Sequence, residues 1–575
     1  MISVFHTQGD GHGWAIDEDL RQIRESLRGV VRETSLARAQ VVHAPFWMAL
    51  DMHPPDVLAG RFVIAHADNP PFFYLKQPEF VRAQQQVDLW VARSREAEGQ
   101  FRALGLPVEY IPYTIDPGLF FPIVSGPAEK SALRRRLGLP EGTYLIANFH
   151  RDSEGSALDT PKLQKAPELM LMILRRLREL GVPFHVLLAG PRRHWLRGQL
   201  EQENLPFTFV GKPGLTGDDF GINILTRPQL NELYNAADLY LIPSRWEGGP
   251  QSVMEAAACR CKILSTPLGL ARDILNPECL FHTASQAADV IARDITENHL
   301  ASTVAPQWER WQSQHTSQAL TDGLRALYAN LPSLPEFTAK AVPTRKAVRA
   351  HLIQWRHTVR RRLAPRTPPR SVVIHHESGH DSALDGIMTN VRESLERSGI
   401  TVGDTGLVLR GWTQNPEHDK GGIQFFSPTA ALPLSPLVTV VAPSVQDVVN
   451  LRARGCSAPA VVIPFLFQAG AVSDDPLVLA EGRNDASLEV WQALLDGRPV
   501  VYPENSAYYE QVFHAGIPCR AGEDPAAVVQ LARKTIRELR ELARPPRASA
   551  SAQALRKLLT DPNGIQSKRN PAWTK

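Results

Sequence analysis

Residues 237–267 read ADLYLIPSRWEGGPQSVMEAAACRCKILSTP, and this stretch decides the fold. It opens and closes on apolar, strand-like runs, ADLYLIPS and CKILSTP. Between them, Gly248 and Gly249 permit a tight turn. Pro250 suits the first position of a helix, because its missing N–H would have no partner there anyway. The order of strand, tight turn, helix and strand predicts one unit of a doubly wound parallel sheet.

Two glutamates flank the predicted turn. Glu247 falls on the loop after the strand, and Glu255 falls inside the helix, eight positions further on. The free N–H groups and the positive dipole end of that helix lie between the two carboxylates. The pattern therefore predicts an anion site with a carboxylate on either side.

The first 330 residues alternate short apolar runs with amphipathic helical stretches. This alternation is typical of α/β folds with doubly wound parallel sheets. The runs form two series, which predicts two Rossmann-like domains, 1–122 and 123–331, joined by a hinge near 112–122. The predicted strands are ISVFH (2–6), AQVVHAP (39–45), RFVIAHA (61–67), LWVARS (89–94) and VEYIPY (108–113), then TYLIANFH (143–150), FHVLLAG (184–190), FTFVG (207–211), LYLIPS (239–244) and CKILSTP (261–267).

The composition limits the class of protein. The 575-residue chain is 43% hydrophobic and 21% charged, which is typical of globular proteins. A net charge of +3 is too small to indicate a nucleic-acid partner. The five cysteines lack the spacing of a zinc site or a disulfide framework, so we expect no metal. The sequence has neither a signal-peptide pattern nor a long apolar run, which predicts a soluble, cytoplasmic protein.

Residues 332–370 differ from what precedes them, with six prolines and ten lysines or arginines. The basic stretch RKAVRAHLIQWRHTVRRRLA (345–364) lies within this segment. Two interpretations stay open. One is a solvated linker with a single helix. The other is a basic amphipathic helix that makes a peripheral contact with anionic lipid at the inner face of a membrane.

After this linker the sequence repeats itself over 371–575. SVVIHHESGHDSALDGIMTNVRESL (371–395) aligns without gaps on SVFHTQGDGHGWAIDEDLRQIRESL (3–27), and VAPSVQDVVNLRARG (441–455) aligns on VARSREAEGQFRALG (91–105). EGRNDASLE, from Glu481 to Glu489, then aligns on EGGPQSVME with the same spacing of acids. The number of residues that separates matching positions of the two copies decreases along the chain. The sequence therefore predicts an internal duplication with a shortened second copy.

Residues 1–330 resemble the retaining glycosyltransferases of the GT-B fold, family 4. The strongest resemblance is LYNAADLYLIPSRWEGGPQSVMEAAACRCKILSTPLGLARDIL (233–275), which is similar to the E-x7-E region of that family. VLLAGP (186–191), IPYTIDPGLFFP (111–122) and PQWERWQ (306–312), similar to the family's crossover helix, agree with it. Two acids at this spacing are common by themselves, but between this strand and this helix they are specific.

The resemblance implies a donor site for a nucleoside-diphosphate sugar. It implies that Glu255 accepts hydrogen bonds from the ribose hydroxyls and that Glu247 faces the donor sugar. The alternative for Glu255 is an acid favoured only by the helix dipole. The backbone from Gly249 to Ser252 would contact sugar or phosphate, and FVGK (209–212) would border the base. The implied donor-binding residues are Gly248, Gly249, Gln251, Ser252, Glu255 and Gly211.

Fixed cations must stabilise the diphosphate as it leaves. The family places an Arg and then a Lys after the first strand of the donor domain, which points here to Arg151 and Lys165. Two departures stand out: the connecting loop is long, and Ala166 follows Lys165 where Gly is usual. Lys162 therefore competes for the role of the lysine. The alternative is that these cations are ordinary surface charges.

The first domain supplies further candidates. QGDGHGW (8–14), with Gly11 and His12, occupies the place of the family's Gly-rich loop over the donor phosphates, although an ordinary strand–helix turn would read the same way. RFVIAHADN resembles the family strand that ends in a histidine near the reaction centre, which points to His66. His43 is its rival, and a structural histidine is the alternative to both. Asp68 would help to hold the acceptor.

The resemblance implies a metal-independent, retaining transfer to an acceptor hydroxyl, with the nucleotide sugar as co-substrate and no cofactor. The acceptor would be a carbohydrate, a lipid-linked sugar or a protein, in the synthesis of surface polysaccharide, glycolipid or another glycoconjugate. The chain would form a homo-oligomer or act alone. The alternative function is a catalytically degenerate scaffold that binds carbohydrate or a protein partner. The second copy lacks the span that holds Arg151 and Lys165, so we expect no activity there.

Overall fold

The structure is a computed structural model. In the first part of the chain it describes residues 1–9, 15–53, 55–71, 74, 78–154, 157–214, 217–245 and 247–332. In the second part it describes residues 371–375, 388–389, 391–393, 395–396, 400–403, 407–410, 422–425, 438–442, 444–453, 460–462, 473–480, 483, 486–503, 508, 516–519 and 524–542. Gly11, His12, the basic stretch 345–364 and Glu481 lie outside the described residues.

The first domain is built on a six-stranded parallel sheet of order β2-β1-β3-β4-β5-β6. Its strands are β1 Ile2–His6, β2 Val31–Glu33, β3 Val41–Ala44, β4 Phe62–Ala67, β5 Leu89–Ala92 and β6 Val108–Tyr110. Its helices are α1 Ala15–Ser26, α2 Pro55–Leu58, α3 Pro78–Gln86 and α4 Arg95–Ala103. The short edge strand β2 is polar and carries no apolar run, which is why the sequence did not predict it.

The second domain has a five-stranded parallel sheet of order β11-β10-β7-β12-β13. Its strands are β7 Tyr144–Asn148, β10 Phe184–Ala189, β11 Phe207–Val210, β12 Leu239–Ile242 and β13 Lys262–Ser265, and β8 Ser153–Glu154 with β9 Ala157–Pro161 forms a separate antiparallel hairpin. Its helices are α5 Pro127–Arg136, α6 Pro167–Glu179, α7 His194–Gln202, α8 Arg227–Ala236, α9 Gln251–Ala258, α10 Leu270–Ile274, α11 Ala284–Glu297, α12 Val304–Gln314 and α13 Ser317–Ala329. All ten predicted strands are present. The hairpin was not predicted and accounts for the long loop before Lys165.

Helices α12 and α13 join the first and second domains. Trp311 of α12 is buried in the apolar core of the second domain. Leu320 and Leu324 of α13 are buried in a core of the first domain, against Val4 and Ile64. The crossover predicted at 306–312 is therefore made by α12 and α13 together. Parallel strands end on the side where the two domains meet, which is where ligands bind in doubly wound sheets.

One expectation about the helix after the Gly-Gly turn is wrong. Pro250 occupies the N-cap position and is extended, with φ −64° and ψ 112°, and α9 begins one residue later at Gln251. The N-cap residue is normally non-helical, and proline fixes only φ, so it is compatible with this extended geometry as well as with a helical one. Glu255 still lies just past the first turn of α9.

The second part of the chain contains another six-stranded parallel sheet, of order β15-β14-β16-β17-β18-β19. Numbered from its own first strand, this order is the same as that of the first domain. A three-stranded parallel sheet, β20-β21-β22, follows. The strands are β14 Ser371–His375, β15 Thr401–Val402, β16 Leu407–Arg410, β17 Gly422–Phe425, β18 Val438–Ala442, β19 Ala460–Val462, β20 Leu477–Val478, β21 Val500–Pro503 and β22 Gly516–Cys519, and the helices are α14 Val445–Ala453, α15 Ser487–Leu495, α16 Pro525–Lys534 and α17 Ile536–Leu542.

Among the described helices, none is both long enough and apolar enough to span a bilayer.

Candidate active site

The candidate site lies at the carboxyl ends of β7, the central strand of the second sheet, and of its neighbour β12. Arg151 follows β7, and Glu247 follows β12 on the loop that leads into α9. Lys165 ends a single 3-10 turn, Leu163–Lys165, immediately before α6. Because the strands are parallel, these loops converge on one edge of the sheet, as the sequence predicted.

Lys165 and Glu247 form a direct ion pair between the Lys165 Nζ and the Glu247 Oε1. Both side chains are largely buried, with 17% of Lys165 and 10% of Glu247 exposed. The sequence placed them in one site but in separate roles, on phosphate and on sugar. Because of this contact, a ligand that touches the Glu247 carboxylate would also be close to the Lys165 ammonium group. A charge pair at this depth is weakly screened by salt.

Glu255 is buried and both of its carboxylate oxygens have partners. The Tyr234 hydroxyl donates to Oε2 at 2.8 Å, and Arg227 Nη1 donates to Oε1 at 2.9 Å. Burial raises the pKa of the Glu255 carboxyl, and Arg227 opposes that rise. Sequence reasoning missed both partners, although LYNAADLYLIPS contains Tyr234 and the capping pattern of α8 places Arg227 at its first turn.

His150, at the end of the predicted strand TYLIANFH, is a further site residue that the sequence did not indicate. Its Nε2 lies 2.8 Å from the Ser252 Oγ, at the start of α9, and its Nδ1 lies 3.5 Å from the Ser244 Oγ. Burial lowers the pKa of His150 well below its usual value, and the charges of Lys165, Arg193 and Arg151 lower it further. The imidazole is therefore neutral at physiological pH.

Arg193 is a second buried cation at this edge. Its Nε lies 3.2 Å from the Asp152 Oδ2, and its Nη1 donates to the Asn148 Oδ1 at 2.9 Å. Burial raises the pKa of the Asp152 carboxyl, and Arg193 opposes that rise. The arginine lies beyond the predicted strand FHVLLAG, where no pattern in the sequence distinguished it from its neighbour Arg192.

Arg151 and Lys162, the other two predicted cations, lie on either side of the β8–β9 hairpin, between β7 and α6. The Arg151 guanidinium is 6.0 Å from the centre of the Phe220 ring. The Lys162 N–H donates to the Asp152 carbonyl at 2.7 Å, and its carbonyl accepts from the Lys165 N–H at 2.9 Å. Lys162 thereby helps to set the backbone that carries Lys165. The contact with Glu247 is made by Lys165.

At Gly248 the second domain approaches the backbone of the first domain closely. A Cβ atom at this position would lie 1.6 Å from the Asp68 carbonyl oxygen and 2.7 Å from the Asn69 Cα. At Gly249 it would lie 2.6 Å from the Tyr113 ring and 2.9 Å from a Leu270 methyl group. The backbone after Glu247 is thus pressed against the first domain. Only glycine allows this approach at position 248.

The rival histidines of the first domain are hydrogen-bonded to each other. His43 Nε2 and His66 Nε2 are 2.8 Å apart, and His43 Nδ1 lies 3.0 Å from the Tyr328 hydroxyl on α13. Burial lowers the pKa of both histidines well below the usual value. The ring of His6 lies nearby, 5.5 Å from that of His43 between ring centres and tilted by 37°. Among the described residues no group of three His, Cys, Asp or Glu side chains could hold a metal ion.

The first domain also contributes a buried ion pair. Arg93 Nη2 donates to the Asp19 Oδ2 at 2.7 Å, and the Arg93 guanidinium lies 4.6 Å from the centre of the Tyr113 ring. Burial raises the pKa of the Asp19 carboxyl, with Arg93 opposing the rise. Asp68, the predicted acceptor residue, accepts from the Tyr74 hydroxyl and from Asn69 Nδ2, the latter at 2.8 Å.

A second contact between the domains is made by α10 and the residue before it. Asp273 Oδ2, on α10, accepts from the Arg95 N–H at 3.0 Å and from the Tyr110 hydroxyl at 3.2 Å. In return, the Gly269 N–H donates to Glu96 Oε2 at 2.9 Å. Burial raises the pKa of Asp273 to about 6. Each domain therefore contributes a carboxylate that accepts a hydrogen bond from a backbone N–H group of the other domain.

Gly211, predicted near the base, packs closely on its surroundings. A Cβ atom there would lie 2.6 Å from the Phe209 ring and 2.9 Å from the Asn223 Oδ1. The Arg197 guanidinium lies over the Phe209 ring at 4.3 Å. Asn223 also bonds the backbone of Lys212 in both directions, at 2.7 and 3.2 Å. These contacts hold the backbone of Lys212, just after the edge strand β11, against Asn223.

The acidic motif of the second copy has a different setting. Glu489 lies in the first turn of α15 and its side chain is 55% exposed. It pairs with Arg483 at 2.8 Å instead of with a buried tyrosine. Glu481 lies outside the described residues. The spacing of the acids is therefore repeated without the buried surroundings of Glu255.

Two doubly wound domains that meet at their strand ends, with a terminal helix returning to the first, make up the GT-B arrangement. Within it, residues 161–299 match the family model of the glycosyl transferases group 1. The match includes Lys162, Lys165, Glu247 and Glu255 and begins after Arg151. This segment of the chain is thus similar to that family. No curated protein matches the sequence.

Several solved structures overlap with the chain. Sucrose-phosphate synthase from Thermosynechococcus elongatus is 16% identical over 57% of this chain and 98% of its own, with a TM-score of 0.44. Anabaena Alr3699/HepE in complex with UDP and glucose is 14% identical over 58% and 100%, with a TM-score of 0.45. A UDP-forming α,α-trehalose-phosphate synthase from Burkholderia vietnamiensis is 14% identical over 54% and 77%, with a TM-score of 0.38. At such identities and TM-scores these overlaps carry no functional argument by themselves.

Proposed function

We propose that the chain is a retaining glycosyltransferase of the family 4 type. It would move a sugar from a nucleoside diphosphate to an acceptor hydroxyl. The observation that carries the proposal is the ion pair of Lys165 with Glu247, eight positions before the buried Glu255, on a loop pressed against the first domain. A cation, a sugar-facing carboxylate and a nucleotide-binding carboxylate would then belong to one donor site.

The donor would bind mainly to the second domain. Glu255 would accept hydrogen bonds from the ribose hydroxyls, and its paired oxygens retain lone pairs for this because a carboxylate offers about four acceptor positions. Lys165 and Arg151 would stabilise the diphosphate, with a planar fork from Arg and a compact charge from Lys. The charge that develops on the leaving group is thus met by the chain's own cations, and we propose a transfer that needs no metal or cofactor.

The transfer itself would take place on one face of the sugar. The bond from the anomeric carbon to the phosphate oxygen breaks, and the bond from that carbon to the acceptor oxygen forms on the same side. The departing phosphate oxygen takes the acceptor's proton, and a nucleoside diphosphate leaves. Glu247 faces the oxocarbenium-like sugar, and neutral His66 lies at the end of β4 on the acceptor side. Contact between the domains at Gly248 would exclude water.

We further propose that residues 371–575 are a shortened duplicate without activity. The repeated strand order and the repeated strand and helix at 438–453 support duplication. The exposed pair of Glu489 with Arg483 supports the loss of a nucleotide site. A structural or acceptor-positioning role fits this half. We place the protein in the cytoplasm, in glycoconjugate synthesis.

The test is to mix the purified full-length protein with a panel of UDP, GDP and ADP sugars and candidate acceptors. We expect nucleoside diphosphate release with one donor and a thermal shift with the matching nucleotide. NMR of the product should show the anomeric configuration of the donor. Inversion would contradict the retaining mechanism. No release and no thermal shift with any nucleotide would favour the second candidate, a carbohydrate- or protein-binding scaffold.

A further inference from the structure

His150 links the two loops that border the proposed donor site. It follows β7, and its Nε2 lies 2.8 Å from the hydroxyl of Ser252, the second residue of α9. Its Nδ1 faces the Ser244 hydroxyl at the end of β12, at 3.5 Å. The imidazole therefore fixes the start of α9 relative to β7 and β12. The free N–H groups of that helix start are the backbone donors proposed for the donor phosphates.

The charged neighbours of His150 are mostly cations. Lys165, Arg193 and Arg151 each disfavour a positive charge on the ring. The carboxylates on the surrounding elements are already paired: Glu247 with Lys165, Asp152 with Arg193, Glu255 with Arg227 and Glu168 with Arg245. An empty site therefore keeps the imidazole neutral.

A bound diphosphate would reverse this balance. Its negative charge would be close to the same cations and would favour the charged form of the histidine. A neutral imidazole donates from one ring nitrogen only, whereas the protonated ring donates from both. With both nitrogens donating, the Ser252 hydroxyl must accept from His150. Its own proton no longer points at His150, and a phosphate oxygen then competes for it with the hydroxyl of Tyr240, the other side chain bonded to Ser252.

We propose that His150 is a positioning residue for Ser252 and that it takes up a proton when a nucleoside diphosphate enters the site. The inference rests on the proposed function, because it assumes a diphosphate at the start of α9. It implies that the nucleotide binds more tightly as the pH falls. Uptake of one full proton corresponds to a tenfold change in Kd per pH unit, so we expect about a threefold or larger effect between about pH 8 and pH 6.

The experiment is isothermal titration calorimetry of the full-length protein with UDP, GDP and ADP. The nucleotide that binds is then titrated at one pH in buffers of different ionisation enthalpy. The slope of the observed enthalpy against the buffer enthalpy gives the number of protons taken up. We compare the wild type with His150→Gln, whose amide can still bond Ser252 but does not titrate. Ionisation of the nucleotide contributes equally to both and cancels in the difference.

His185→Gln is the matched control. His185 is also a partly buried histidine of this domain and bonds a hydroxyl, Thr208 Oγ1 at 2.9 Å, but it lies on the edge side of the sheet. We expect proton uptake in the wild type and in His185→Gln, and its loss in His150→Gln. Uptake that survives in His150→Gln, or is absent from the wild type, overturns the inference.

Two further readouts separate the possible failures. If His150→Gln does not fold, Ser252→Ala replaces it, and we expect weaker nucleotide binding with reduced proton uptake. Unchanged binding and uptake in Ser252→Ala would contradict the positioning role. If no nucleotide binds to the wild type, the proposed function fails and the inference fails with it. Binding without a proton difference refutes the inference alone.

Discussion

Glu255 shows how a site residue can cost stability. Its carboxyl is buried, and burial raises its pKa above the value in an unfolded chain. The folded form therefore binds a proton more readily than the unfolded form, so this group favours folding at low pH and opposes folding as the pH rises through the folded pKa. The hydrogen bonds from Tyr234 and Arg227 reduce the cost. The proposed contact with the ribose hydroxyls would account for a carboxylate at this buried position.

We predict that Glu255→Gln raises the Tm of the unliganded protein at neutral pH and weakens nucleotide binding about tenfold or more. The amide removes the buried charge while its oxygen still accepts from Tyr234. A lost hydrogen bond to a charged group costs about 1.5–3 kcal/mol of binding free energy. Differential scanning fluorimetry with and without nucleotide measures both effects. Glu489→Gln, at the exposed motif, should change neither, and a Tm that falls in Glu255→Gln would contradict the argument.

Glu247 and Lys165 should differ in their kinetic effects. Glu247→Gln keeps the size of the side chain but removes the charge that would face the developing oxocarbenium ion, so we expect kcat to fall about 100-fold. Lys165→Ala should weaken diphosphate binding as well as turnover. Steady-state kinetics and calorimetry distinguish the two. Equal transfer activity in Glu247→Gln and the wild type would exclude the assigned role.

At the scale of elements, the loop from β12 to α9 is shaped by its contact with the first domain. A Cβ atom at Gly248 would overlap the Asp68 carbonyl, which is backbone and cannot swing away. We predict that Gly248→Ala separates the domains there and lowers kcat/KM at least tenfold, because overpacking costs about 1–3 kcal/mol.

The neighbouring glycines provide the controls for that change. Gly249→Ala should have a smaller effect, since the atoms nearest its Cβ position belong to the side chains of Tyr113 and Leu270 and not to the backbone. Gly142→Ala should have none, because nothing lies within 4 Å of its Cβ position. Equal kinetics of Gly248→Ala and Gly142→Ala would contradict the close approach. Urea unfolding of each variant shows whether stability has changed instead.

Helices α10 and α4 form a pH-sensitive contact between the domains. The pKa of Asp273 is about 6 in this contact, above the value of about 3.9 that exposure would restore if the domains separated. The joined form therefore binds the proton more tightly. Lowering the pH through 6 favours the joined form, and raising it favours separation.

We predict that small-angle scattering of the unliganded protein shows a larger radius of gyration at about pH 7.5 than at about pH 5.5. Asp273→Asn, whose oxygen still accepts from Arg95 and Tyr110, should remove this dependence and stay compact at both values. Asp322→Asn, an exposed position of α13, is the control. A wild-type radius that does not change with pH, or that changes in the opposite direction, would refute the prediction.

At the scale of the whole molecule, the second half packs against the first. Val440, Ala442, Val448 and Leu451 belong to the same buried apolar cluster as core residues of the first domain. The Ser285 N–H of α11 donates to Glu538 Oε2 of α17 at 3.1 Å. Both halves of the shortened copy thus contact the first copy, one in each domain. Removing the copy would expose apolar surface.

We predict that a chain truncated after residue 332 still binds nucleotide but melts a few degrees lower than the full chain. The proposed donor site lies wholly within the first copy, whereas the apolar cluster would lose the part of its packing that the second copy provides. Calorimetry and thermal unfolding test both parts of this prediction. Loss of nucleotide binding from a truncated chain that remains folded would show that the second copy belongs to the site.

The sequence by itself determined the alternation of strands and helices, the two parallel sheets and the candidate carboxylates Glu247 and Glu255. These are local properties, because periodicity and turn residues act over a few positions. The hairpin β8–β9 and the polar strand β2 were missed because neither carries an apolar run. The shift of Pro250 to the N-cap was missed because proline fits both positions.

Only the tertiary structure decided which residues meet. It paired Lys165 with Glu247, Tyr234 with Glu255, His150 with Ser252 and His43 with His66. Each pair joins two separate elements, so no local pattern could indicate it. The pKa shifts depend on the same contacts and on burial, which are set by how the sheets and domains pack. The sequence proposed the residues of the site, and packing assigned their partners and charges.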